Sequence, residues 1–209
     1  SNLKNILVLS VINTALPFSL FAYASLESSS NMLSILNGTT AIMAVVISTI
    51  WLKIRLNSFQ IMGVFIGLFG IVVLANPDNV YISMKATIFC LSAAFCYALS
   101  ANYIQKFAYK TNTIVLIGWS LVIASVLLLP ITFFNLPSQF PSNNVIFSIL
   151  WLGVISTGVA FLGYVRLIEK VGAVKTATVA YFIPVFGVIW GYVFLGEPIT
   201  LQILIGMIL

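Results

Sequence analysis

Long apolar runs separated by short polar turns make up nearly the whole chain. The runs cover about residues 5–26, 31–52, 58–76, 86–109, 113–134, 144–166, 173–195 and 199–209. All but the last approach the roughly twenty residues that cross a bilayer as a helix. The turns carry helix breakers and polar residues: "ESSSN", "KIRLN", "NPDNVY", "NLPSQFPSNN" and "LGEP". Lipid offers no partner to a free backbone group, so such runs form helices or a closed barrel. Barrel strands would alternate apolar and polar residues over about ten positions. No such alternation occurs, and the pattern predicts an all-α integral membrane bundle.

Composition sharpens this picture. Hydrophobic residues make up 61% of the chain and charged residues 6%, with a mean hydropathy of +1.16. A soluble domain carries about a quarter charged residues. The absence of His removes the commonest general base and metal ligand. Cys90 and Cys96 share one apolar segment but point about 240° apart around a helix. They read as small buried hydrophobes, not as a disulfide or a metal site. An intramembrane enzyme would need a paired base and nucleophile, a metal cluster or two facing carboxylates. The spans offer none of these, so neither catalysis nor a cofactor is expected.

The net charge of +5 matters through its placement and does not point to nucleic acid. With the ends of the spans numbered alternately, Lys4, Lys53, Arg55, Lys106, Lys110, Arg166, Lys170 and Lys175 share one side. Only Lys85 falls on the other. The positive-inside rule makes the first side cytoplasmic. Glu27, Asp78 and Glu197 then lie outside, and Glu169 inside.

The chain also repeats itself. Residues 5–18, "NILVLSVINTALPF", align without a gap to 148–161, "SILWLGVISTGVAF", at an offset of 143. Ile6, Leu7, Leu9, Val11, Ile12, Thr14 and Phe18 find identical partners, and Val45, Leu52 and Gly63 keep the register with Val188, Leu195 and Gly206. Helix one therefore corresponds to helix six, and a five-helix period turns the second copy upside down. Inverted repeats are a hallmark of transporters. The repeat also counters a secretory-signal reading of the first run, whose Lys4 and Ala22-Tyr23-Ala24 resemble signal features. It divides the chain into the last three helices of a first repeat (1–76), an outer loop (77–85) and a second repeat (86–209) whose final helix is truncated. The first copy's two opening helices, about sixty residues, are expected upstream. In this register Glu197 aligns with Ile54 and is expected as a turn residue at the outer surface, where charge costs little.

The stretch "GVISTGVAFLGYVRLIEKVGAVKTATVAYFIPVFGVIWGYVFLGEPITLQILIG" resembles the EamA domain of the drug/metabolite transporter superfamily. Tyr164, the "EKVGA" turn, Pro184 in mid-helix and the "LGEPIT" turn carry the match. "NTALPFSLFAYASL", "SSSNMLSILNGTTAI" and "QIMGVFIGLFGIVVL" extend it to the first half, with Ala41 and Lys53-Ile54 replacing the mid-helix Pro and the Gly-Glu turn. The resemblance implies a ten-helix carrier, eight helices of it here, moving small organic solutes across a bacterial inner membrane. Exporters of amino acids and related metabolites are common in this family.

Transporter sites lie near the bilayer midplane. Mid-span depth selects Asn13, Thr14 and Pro17 in the first helix, and Asn37, Thr39 and Thr40 in the second. It adds Tyr97 and Ser100, then Ser156 and Thr157, then Tyr181 and Pro184. Pro184 is expected to free a carbonyl near Ala180. Ser and Thr in membrane helices also bond their own backbone or a neighbouring helix, and Tyr often only packs. No Asp, Glu, Lys, Arg or His lies near mid-span, which favours neutral or zwitterionic solutes. Lipid or nucleotide-sugar transport and a non-transporting assembly role are the rival readings. The glycine pairs in "GVFIG" (63–67) and "GVIWG" (187–191) allow close helix approach, either within the bundle or across a homodimer.

Overall fold

The computed structural model describes residues 2–74, 83–108, 112–137, 139–172, 175–176 and 178–208. All regular structure among them is helical. The helices are α1 (Asn2–Ser25), α2 (Ser30–Trp51), α3 (Ser58–Leu74), α4 (Met84–Phe107), α5 (Thr113–Phe134), α6 (Asn143–Val171), α7 (Thr178–Leu195) and α8 (Leu201–Ile208). Six of these are long and apolar enough to cross a membrane; α3 and α8 are shorter. The chain is a multi-pass membrane bundle.

Short polar side chains set several helix starts. Ser29 Oγ accepts from the Met32 amide, Ser83 Oγ from Ala86, and Asn112 Oδ1 from Val115, at 3.3–3.4 Å. Each occupies one amide that the first helical turn cannot pair. Gly172 (φ 85°) and Gly196 (φ 67°) end α6 and α7 in the left-handed region that a side chain disfavours.

α2 is the central helix, packed between α4 and α7. On the α4 side, Asn102 Nδ2 donates to the carbonyls of Ala44 (3.1 Å) and Ala98 (2.9 Å), tying the helices together. On the α7 side, glycines allow contact. A Cβ at Gly187 would collide with Ser34, one at Gly191 with Asn31, and one at Gly38 would lie 2.9 Å from Pro184 Cγ. The 187–191 pair is therefore spent inside the bundle. Of the other pair, Gly67 meets Ile42 of α2, while Gly63 has nothing within 4 Å. α1 packs on α4 and α5, with Leu9 among Ala101, Ile104, Leu116 and Ile117. It is an integral part of the bundle. α6 is different: from Asn143 to Val159 none of its residues is buried.

The two ends differ in chemistry. At one, Lys106 Nζ lies 3.3 Å from the Trp51 carbonyl and 4.9 Å from the Trp51 ring centroid, and Tyr103 Oη donates to Asn5 Oδ1 (2.9 Å). At the other, Glu27 pairs with Lys85 (2.7 Å) and accepts from Ser83. Those two bonds hold the exposed Glu27 carboxyl below the ordinary glutamate value. Asp78 and Lys110, placed by the charge argument on opposite sides, lie outside the described residues.

One element differs from its sequence expectation. The span expected over 173–195 is described as a 3-10 turn, Thr178–Tyr181, followed by α-helix from Phe182. Pro184 is the seventh residue of α7, just after the winding changes from 3-10 to α.

Candidate functional site

α1 is not regular along its length. It widens into a π turn over Ser10–Ala15, just before Pro17. The proline ring would press on the carbonyl four residues back, that of Asn13, and an extra residue in the turn relieves the collision. Ser10 Oγ reinforces the distortion by donating to the carbonyls of Ile6 (2.8 Å) and Leu7 (2.9 Å). α6 has a second π turn over Leu152–Val159, where Thr157 Oγ1 donates to the Leu152 carbonyl five residues back (2.8 Å). Shifted by 143 positions, the first π turn falls inside the second. Such turns recur at functional sites because they re-aim side chains without ending the helix.

These two π turns border a cavity of about 500 Å³ between α1, α2, α4, α6 and α7, whereas a third, Ile104–Ala108 at the end of α4, does not line it. Its polar lining is Asn13, Asn37, Thr40, Tyr97, Ser156, Thr157 and Tyr164; Phe18, Phe161, Leu167, Val179 and Ile183 supply apolar wall. Among the described residues no charged side chain lines it. The volume is in the range of small-molecule sites. Under the 143-residue offset, lining residues match lining residues: Asn13 with Ser156, Phe18 with Phe161, Asn37 with Ala180, and Thr40 with Ile183.

Of the residues selected by depth, the structure brings Asn13, Asn37, Thr40, Tyr97 and Thr157 to this cavity, with Ser156. Thr157 spends its proton on Leu152, so its oxygen is left only as an acceptor. Thr14 and Ser100 are buried but do not line the cavity; Ser100 stands behind Asn13 and donates to its Oδ1 at 2.7 Å. Thr39 donates to the Leu36 carbonyl of its own helix (2.7 Å). Pro184 packs against Gly38, and the Tyr181 side chain lies outside the described set. Depth missed the aromatic walls Phe18 and Phe161, and Tyr164 stood out only through the family resemblance. The repeat was the signal for the first two, since Phe18 and Phe161 are identical partners.

Glu197 is in the turn after α7, beside the start of α2, and it does more than meet water. Its Oε1 accepts from the Ser30 amide (2.8 Å) and its Oε2 from the Asn31 amide (2.9 Å). These amides open α2, so the carboxylate of the turn after α7 closes a helix N-terminus far away in sequence.

Comparison with known proteins agrees with this architecture. Residues 1–76 and 84–209 match the EamA-like transporter family. An uncharacterized transporter of Bacillus subtilis, YoaV, is 27% identical over all of this chain and 73% of its own length. One from Archaeoglobus fulgidus is 28% identical over 85% of this chain and 64% of its own. A solved structure, described only as that of a protein, aligns with a TM-score of 0.73 over 98% of this chain and 72% of its own. At 16% identity that likeness concerns the fold alone. Bundle, cavity and relatives converge: this chain belongs to the EamA-like transporter family of the drug/metabolite transporter superfamily.

Proposed function

We propose that the protein carries small neutral or zwitterionic organic metabolites, amino-acid-like in size, outward across a bacterial inner membrane by alternating access. The observation that carries this is the cavity itself: about 500 Å³, polar at several points and, among the described residues, free of charged lining. Burying a charged group without a counter-charge is expensive, so such a site selects solutes without strong net charge. A nucleotide sugar would want cations for its phosphates, and the lining supplies none.

Alternating access draws its support from the pseudo-symmetry of the lining. Two inverted five-helix repeats make inward- and outward-open states near mirror images. The paired π turns and four paired lining positions are what that scheme needs. In the second repeat, α4 and α5 pack on α1 of the first. The same exchange would seat the first repeat's opening helices on α6, whose Asn143–Val159 stretch is bare. A homodimer is left the open Gly63 face.

The test is to overproduce the full natural chain in a bacterial host and profile metabolites in the medium. One class of small neutral or zwitterionic solutes should accumulate outside. Asn37→Leu combined with Thr157→Val, at equal membrane level, should reduce that accumulation at least about tenfold by removing polar groups a solute would pair with. Profiles matching an empty host would overturn the export reading.

A further inference from the structure

Two asparagines line the cavity, and an asparagine can face a ligand as a donor or as an acceptor. Here the choice is made by hydroxyls. Ser100 Oγ donates to Asn13 Oδ1 at 2.7 Å, and Thr40 Oγ1 donates to Asn37 Oδ1 at 3.2 Å. Each carbonyl oxygen is therefore engaged. Asn13 is 3% exposed, and its Nδ2 has no hydrogen-bond partner among the described residues. A buried amide donor left unpaired is costly, and an acceptor on a bound solute relieves that cost. Of the hydroxyls in the lining, those of Tyr97, Ser156 and Tyr164 rotate to suit either kind of partner, while Thr40 and Thr157 have spent their protons and remain acceptors. The two amides are the lining side chains whose remaining polar group is a fixed donor.

Resting on the carrier reading, we infer that Ser100 and Thr40 are positioning residues that turn Asn13 and Asn37 into a donor pair selecting solutes with a carbonyl or carboxylate oxygen. They act through the asparagines: Ser100 does not line the cavity, and Thr40 spends its proton on Asn37. Because the described lining has no cation, a neutral carbonyl should bind better than a free carboxylate, which would bury a charge without a partner. A solute offering only an amine has no acceptor for the pair and places its charge beside two donors.

Three probes of one chain length separate these cases: valeramide, valerate and pentylamine. Their binding is read from thermal unfolding of the full-length protein in detergent as probe concentration rises. Valeramide should bind at least about tenfold more tightly than pentylamine, with valerate between them. Ser100→Ala and Thr40→Val free the amides to turn, and each should narrow that ratio to within about threefold. Asn13→Asp puts an acceptor where the donor was and should reverse the order in favour of pentylamine. A merely structural role predicts something else: both hydroxyl variants would weaken all three probes alike and leave the ratio unchanged. That result, equal binding of amide and amine, or no binding of any probe would overturn the proposal. Failure of the carrier reading would show separately, as no solute movement by proteoliposomes holding a protein that still ranks the probes as stated.

Discussion

Gly187→Ala should destabilise the protein, while the same change at Gly63 should leave it unharmed or slightly more stable. Both glycines begin a pair one helical turn apart in an apolar helix, so sequence treats them alike. The structure does not. At Gly187 an added Cβ runs into the Oγ and Cβ of Ser34, and Ser34 is held on α2 at the centre of the bundle. Oxygen can rotate away, but Cβ moves only with the helix. Overpacking of this kind costs about 1–3 kcal/mol. At Gly63 nothing lies within 4 Å, and alanine is favoured over glycine inside a helix by roughly 0.5–1 kcal/mol. Thermal unfolding in detergent, read by loss of soluble full-length protein on heating, should move in opposite directions for the two variants. Equal losses would mean that α2 and α7 do not meet as described. Leucine should enlarge the contrast.

The second large effect is expected at Glu197. Its two oxygens take the Ser30 and Asn31 amides at the start of α2. Hydrogen bonds to a charged group contribute about 1.5–3 kcal/mol each when sheltered, and a negative charge at a helix N-terminus adds about 0.3–1. Glu197 is half-buried, so solvent screens part of this, and a loss of about 1–3 kcal/mol is reasonable for Glu197→Ala. Glu197→Gln tests the mechanism more sharply. It preserves shape and one acceptor but sets an NH2 group against a backbone N–H. It should recover less than half of what alanine loses. If glutamine behaves like glutamate, the carboxylate is not closing the helix. The same pair of variants distinguishes Glu197 from Glu27, whose ion pair with Lys85 is exposed, so that Glu27 should be replaceable at little cost.

These two sites show what the sequence makes legible and what it does not. The spans were readable because apolar runs end at turn chemistry: Ser29 and Ser83 mark helix starts, and Gly172 and Gly196 mark helix ends. Pro184 was harder. A proline inside an apolar run marks a local distortion without saying which winding the helix takes there, and the 3-10 turn before it has no polar signature. Depth along a helix was also readable, which is how Asn13, Asn37, Thr40, Tyr97 and Thr157 came forward. Azimuth was not. Asn13 and Thr14 share a depth but point about 100° apart, and only Asn13 reaches the cavity. Phe18 and Phe161 look the same in sequence whether they face lipid or solute. The bond from Glu197 to Ser30 joins residues 167 positions apart, and no local pattern announces it.

Solutes should cross through the cavity bordered by the π turns of α1 and α6. The most direct test places one cysteine there, Ser156→Cys, in a full-length chain with Cys90→Ala and Cys96→Ala. A membrane-impermeant thiol reagent is then applied to sealed right-side-out and inside-out vesicles, and labelling rates are compared. An alternating-access carrier opens the cavity to each side in turn, so Ser156→Cys should react from both. An exported solute found by medium profiling should slow both reactions. Reaction from neither side, or from one side only with no effect of solute, would contradict a transport route through this site.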